Sequence, residues 1–250
     1  MINNRRMKKI LFVASLFLMT CVTNAQDSTH HKKDWSNLDL SNRANDHFML
    51  QYGIDGWSGT NDSTTPSGFS RHFNFYFMVD KPFKTNPHMS LGFGAGLGSS
   101  NYFFKNTNID LKSGSTKLPF TNVSATNHFS KYKLSTFFLE APIELRYAGN
   151  PQYPEKGFKF ALGVKIGTLL SAHTKGKNEL NSAGTTIYGP TYIAKESNKR
   201  FINSTRFAVT ARIGFGNLSL DGSYQVTDFL KPATGPVIHP YSIGLTLSGL

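Results

Sequence analysis

Beyond residue 46, apolar side chains return at every second position in one segment after another. Phe48, Leu50, Tyr52 and Ile54 alternate with Met49, Gln51, Gly53 and Asp55. Phe69, Phe73, Phe75, Phe77 and Val79 alternate with His72, Asn74, Tyr76 and Met78, with Arg71 as an exception. Met89, Leu91, Phe93, Ala95 and Leu97 face away from Ser90, Gly92, Gly94, Gly96 and Gly98. In the fourth segment Phe137, Leu139, Ala141, Ile143, Leu145 and Tyr147 share one side, and Phe138, Glu140, Pro142, Glu144 and Arg146 the other. Segments over 158–170, 206–215, 218–226 and 241–248 repeat the pattern. A period of two marks a strand, because successive side chains on a pleated backbone point to opposite faces. The reading is an all-β chain of about eight strands.

The joins carry a second pattern. They fall roughly at 58–68, 80–88, 103–131, 148–157, 172–200, 216–217 and 228–239, with the odd ones longer. Gly216-Asn217 suits a tight hairpin. Long joins alternating with short ones are the habit of up-and-down barrels in the outer membrane, where short turns face the periplasm and longer loops face outward. An even strand count then predicts that both termini are periplasmic. The long joins are rich in Asn, Ser, Thr, Gly and Lys and are expected to stay solvated without a core. Trp57, Tyr102, Tyr147, Phe158, Phe201 and Phe229 stand at strand ends and are expected in interfacial aromatic belts.

The N-terminus fixes the compartment. Arg5, Arg6, Lys8 and Lys9 precede an apolar stretch from Ile10 to Met19, and Thr23-Asn24-Ala25 offers small residues for cleavage before Gln26. Ten apolar residues are too few for a membrane helix, which needs about 20, so residues 1–25 read as a signal peptide. Cys21 offers an alternative as a lipidated cysteine, and Arg5-Arg6 a twin-arginine route, although that route carries folded cargo. A polar periplasmic leader is expected over 26–46, and the barrel domain over 47–250.

A soluble sandwich or a lipocalin-like barrel would also alternate. The export signal, strands near ten residues and the long-short rhythm of joins select a closed antiparallel up-and-down transmembrane β-barrel. Closure removes every sheet edge, as a bilayer demands.

Composition narrows the chemistry. The only cysteine is Cys21, so a processed chain has no disulfide and no thiol nucleophile. The formal charge is +12, and setting aside the four signal positives leaves 23 Lys and Arg against 15 Asp and Glu, or +8. That excess is dispersed, with no basic run and no zinc spacing, so no nucleic acid partner is expected. The eight His residues show no HExxH spacing, and no Gly-x-Ser-x-Gly elbow occurs. No metal, cofactor or enzymatic activity is expected. Gly92, Gly94, Gly96 and Gly98 form one strand face, admitting bulky side chains from neighbouring strands.

Glu140, Glu144, Arg146, Lys159, Lys165, Arg206, Arg212 and Asp221 fall on the inner face and form a candidate lumen charge cluster. Such a cluster either selects a solute in a narrow pore or pairs internally and plugs the lumen, which in eight strands is just wide enough to be filled by side chains.

The segment Phe137-Phe138-Leu139-Glu140-Ala141-Pro142-Ile143-Glu144-Leu145-Arg146-Tyr147, with the Gly-rich Leu91–Gly98 strand, the Phe160–Gly167 strand and a signal ending Asn24-Ala25-Gln26, resembles the PorT-like family of small outer-membrane β-barrels. The resemblance covers residue 47 onward and implies a barrel without catalytic residues and a role in surface protein secretion. One departure is the C-terminus, which ends Ser248-Gly249-Leu250 instead of in an aromatic; Tyr241, Ile243, Leu245 and Leu247 could carry recognition by the barrel assembly machinery. The expected partners are outer-membrane lipid, that machinery and a surface or secretion protein docking on the long loops. A narrow pore or transporter for a small solute is the alternative, and a surface enzyme acting on lipid or peptide a third.

Overall fold

The computed structural model describes residues 43, 48–60, 65–66 and 69–249. The expected signal peptide, and the expected leader apart from Arg43, lie outside the described residues.

Among them eleven strands form: β1 (Phe48–Ser58), β2 (Arg71–Pro82), β3 (Met89–Phe104), β4 (Thr107–Ile109), β5 (Phe120–Asn122), β6 (His128–Ala148), β7 (Phe158–Leu180), β8 (Ile193–Ser197), β9 (Thr205–Phe215), β10 (Leu218–Gln225) and β11 (His239–Ser248). Eight of them, β1, β2, β3, β6, β7, β9, β10 and β11, each pair antiparallel with the next, and β11 returns to β1 in a register running from Met49 opposite Ser248 to Ser58 opposite His239. The sheet therefore closes into an eight-stranded up-and-down barrel. β4 and β5 make a hairpin in one long loop, and β8 adds to the upper part of β7.

Alternation settles the two faces. Along β2, Phe73, Phe75, Phe77 and Val79 point outward and are exposed, while His72, Asn74, Tyr76, Met78 and Asp80 point inward and are buried. Every barrel strand repeats this, leaving a continuous outer belt of Phe, Leu, Ile, Val and Tyr side chains. A patch of this extent is untenable against water and fits hydrocarbon.

Three strands are longer than the alternation predicts. β3 runs on to Phe104, β6 begins at His128 and β7 continues to Leu180, so the third and fifth joins shrink to 105–127 and 181–204. The reason is a reversal of polarity along each strand. Outward positions of β6 change from Ile143 and Leu139 to Ser135, Lys133 and Lys131, while inward ones change from Glu144 and Glu140 to Leu134 and Tyr132. The strands leave the apolar zone and continue as sheet. A bulge between Phe137 and Phe138 against β7 marks the changeover.

The long loops do not stay solvated. Ile109, Leu111, Leu118, Phe201, Ile202, Phe229, Leu230 and Ile238 are buried in one core with Trp57, Tyr102, Phe104, Tyr132 and Leu134 of the barrel mouth. Hydrogen bonds tie the loops together, Leu118 N to Thr234 O at 2.7 Å and Lys231 N to Phe201 O at 2.9 Å. This also corrects the aromatic belts. Tyr147 and Phe158 lie on the outer wall, but Trp57, Tyr102, Phe201 and Phe229 turn inward, with Trp57 5.0 Å from the Phe229 ring. The eight loop residues of this core sit alone or in pairs within polar sequence, and only the folded loops bring them together.

At the opposite end the turns are short: 83–88, 149–157 and Gly216-Asn217, where Gly216 adopts a φ of 63° that favours glycine.

Ile143 lies midway along the outer wall of β6, between Phe93 and Val164 on the neighbouring strands. Ile143→Arg should destabilise the protein in lipid vesicles by about 2–4 kcal/mol in denaturant unfolding, whereas Thr191→Arg on an exposed loop should leave stability within about 0.5 kcal/mol.

Candidate functional site

The inner face is built by parity. Glu140, Glu144 and Arg146 follow one another at alternate positions of β6, and the register sets Gly167 and Gly163 of β7 beside the two glutamates and Ala161 beside Arg146. Small residues there leave the lumen to long side chains. A Cβ added at Gly98 would fall 2.6 Å from Glu140 Oε2, and one at Gly92 2.4 Å from Arg146 Nε.

All eight sequence-derived candidates point into the lumen and are buried. The structure brings them into three groups. Near the short-turn end, Glu144 accepts from Arg212 Nη2 at 2.6 Å and Arg146 Nε at 2.9 Å, and Arg146 also reaches Asp80 at 3.4 Å. Asp80 in turn binds Arg43 at 2.7 Å and accepts from the Ser90 hydroxyl. Arg43 donates to the carbonyls of Pro87 and Pro151, so it fastens two turns to the lumen network. Lys159 lines the same small cavity as Arg43, Asp80 and Arg146.

At mid-barrel, Glu140 pairs with Arg206 at 2.9 Å and Lys165 at 3.6 Å and accepts the Tyr76 hydroxyl. Arg206 also donates to Gln225 and lies 3.8 Å over the Phe138 ring. Asp221 stands apart from both groups and accepts from Thr246 at 2.7 Å, in a chain that continues through Gln51 to Asn74. Higher still, Asp55 and His72 meet at 2.7 Å beneath the aromatic core.

Asp80, Tyr76, Arg43, Asp55 and His72 were not among the sequence candidates. Asp80 was legible in principle, since the inward parity of β2 extends one step past Met78. Nothing in the sequence marked Arg43, which sits in a polar stretch.

Among the described residues the lumen is closely packed, and two of its cavities hold about 20 Å³ each, room for about one water. Among the described residues no three His, Cys, Asp or Glu side chains converge as metal ligands. His88 bonds the Ala148 carbonyl and His239 lies 3.6 Å from Asp228. His30, His31 and His47 lie outside the described residues.

A closed antiparallel barrel with an apolar wall, a polar interior, short turns at one end and long loops at the other defines an outer-membrane β-barrel protein. Residues 25–229 match the outer membrane protein beta-barrel domain family, and the chain belongs to that family, which places it in the bacterial outer membrane. No curated protein matches the sequence. Similar solved structures include the attachment invasion locus protein Ail of Yersinia pestis, alone and with the heparin analogue sucrose octasulfate. Their identities are 13% and 12%, with TM-scores of 0.31 and 0.30, covering 80% of this chain and 95% of Ail.

Removing one partner of a buried ion pair leaves the other charge uncompensated, at about 3–5 kcal/mol. Glu140→Ala and Glu144→Ala should each lower stability by that amount in vesicle-reconstituted protein. In a double-mutant cycle Glu140→Gln with Arg206→Gln should show a coupling of at least about 1 kcal/mol, whereas Glu140→Gln with Arg212→Gln should be nearly additive.

Proposed function

We propose that this barrel is a non-conducting scaffold that holds a folded loop cap at the cell surface, with both chain ends on the periplasmic side. The observation that carries the reading is the double closure of the lumen. Paired charges fill the membrane section, and an aromatic core shared by three loops seals the mouth.

A solute path would need a continuous wet channel, and side chains occupy its course. The eight-residue charge cluster is read as a plug in which Glu140 and Glu144 each hold two cations. This argues against the narrow pore. The reading assigns no catalytic residue and no nucleic acid contact.

The cap suits recognition. Its loops share a core and mutual backbone hydrogen bonds, so a partner meets an ordered surface and loses less entropy in docking than it would against mobile loops. A surface protein-secretion component, the role implied by the PorT-like resemblance, is the partner class this reading favours. Outer-membrane lipid around the wall and the assembly machinery that inserts the barrel complete the partners.

Purified folded protein in planar bilayers should show no steady open state; a reproducible single-channel conductance would restore the pore. Photo-crosslinkers at positions 112, 117 and 191 in intact cells should capture a common protein that positions 84 and 86 on a short turn do not. Equal capture from both ends would remove the docking role.

A further inference from the structure

The lumen sets its arginines and Lys165 against carboxylates, but the outer wall above the apolar belt does not. Strand register sets Lys133 of β6 directly opposite Lys175 of β7, and Lys175 directly opposite Lys195 of β8. One step higher Lys131 faces Lys177, and one step lower the row contains Arg71, Asn101, Ser135 and His173. Neighbouring strands lie about 4.8 Å apart, so three ammonium-bearing residues sit side by side within about 10 Å.

Like charges directly opposed on a sheet repel and cost stability. Among the described residues none of Arg71, Lys131, Lys133, Lys175, Lys177 and Lys195 has an ion-pair partner. Lys133 meets no carboxylate, donating to Asn101 Oδ1 at 2.7 Å and lying 5.9 Å from the Phe103 ring, over which Arg71 also sits at 5.4 Å. Glu196, the acidic neighbour of Lys195, takes the opposite face of β8, beside Tyr132. Burial, with Lys175 and Arg71 nearby, holds the Lys133 ammonium below the ordinary lysine value. Burial together with Lys195, Lys133 and Lys175 does the same to His173. The row is a concentrated positive field with no internal counter-charge.

Its place on the molecule selects the ligand. These side chains project sideways from the barrel wall and not upward from the cap. Below the row are Leu139 of β6 and Leu170 of β7, with Leu97 of β3 and Phe73 of β2 beside them, 38–51% exposed on the lipid face. Lys133 is four residues above Phe137, about 13 Å along the strand and less along the membrane normal because barrel strands tilt by about 35–45°. Long lysine side chains can reach down from there to a headgroup layer about 5–8 Å thick. A molecule anchored by acyl chains against the belt therefore carries its headgroup to this row without leaving the bilayer.

The geometry points to a binding site for a phosphorylated membrane lipid on the outer wall of β6, β7 and β8, with Lys133, Lys175 and Lys195 as its phosphate ligands and Leu139 and Leu170, flanked by Leu97 of β3 and Phe73 of β2, under its acyl chains. The site is separate from the docking cap, and either can fail without the other.

Full-length folded protein in neutral detergent is titrated at about 0.15 M salt with diphosphorylated lipid A, with the same lipid stripped of both phosphates, and with inorganic pyrophosphate as competitor. Bound lipid is counted by native mass spectrometry. A basic residue near an anionic surface contributes about fivefold, so K133Q/K175Q/K195Q should bind the diphosphorylated lipid about a hundredfold more weakly than the unaltered protein. K175Q alone should lose about fivefold, and it serves if the triple variant does not show the heat-modifiable gel mobility of a folded barrel. The control K112Q/K117Q/K199Q removes the same charge from exposed positions elsewhere at this end and should bind within about twofold of the unaltered protein. Undiminished binding by the row variants overturns the site, as does equal binding of the stripped lipid. Displacement by pyrophosphate at concentrations matching the lipid overturns the lipid assignment in favour of a soluble anion.

Discussion

Hydrocarbon offers a peptide group nothing to hydrogen-bond with, and each unpaired backbone group there costs several kcal/mol. An isolated sheet would leave two edges unpaired, so the pairing of β1 with β11 is what makes the other strands tenable in a bilayer. Closure with eight strands also fixes the width of the interior, which side chains can just fill. The outer face is then committed to acyl chains, and the inner face must satisfy its polar groups without bulk water.

The charge network answers that second demand. Glu140 and Glu144 are 1% and 3% exposed, and a carboxylate so enclosed is sustainable only beside cations and donors. Each has two basic partners, and the glycine row of β3 together with Gly163 and Gly167 of β7 yields the space those side chains occupy. Small residues on one strand and long charged ones on the next are one device. Arg43 extends it beyond the barrel strands, tying two short turns to the Asp80 carboxylate.

Closure and face assignment were legible because the bilayer imposes a strict period of two on every spanning strand, and parity alone sent Glu140, Arg146 and Arg212 inward. Pairing partners were not legible. That Arg206 meets Glu140 while Arg212 meets Glu144 depends on register and barrel stagger, which alternation does not encode. The cap was hidden for a different reason. Ile109, Leu118 and Ile238 are scattered apolar residues in polar loops, and they become a core only when three loops converge. Trp57 and Tyr102 looked like interfacial anchors because strand-end aromatics so often are, and the cap supplied the competing apolar environment.

The two treatments of charge in one sheet follow from where water can reach. Inside the wall a lone cation has no solvent to fall back on, so lumen arginines sit against carboxylates at hydrogen-bond distance. On the outer wall above the belt the field of Lys133, Lys175 and Lys195 is open on one side, and a counter-charge can come from outside the chain. β8 sharpens this asymmetry, because it adds Lys195 to a row that two strands had already made repulsive and turns Glu196 to the far face. Internal neutralisation would have required only the opposite parity of that short strand. With the parity observed, the positive face of β8 lies on the same side as the lipid belt, open to the anionic headgroup proposed for it.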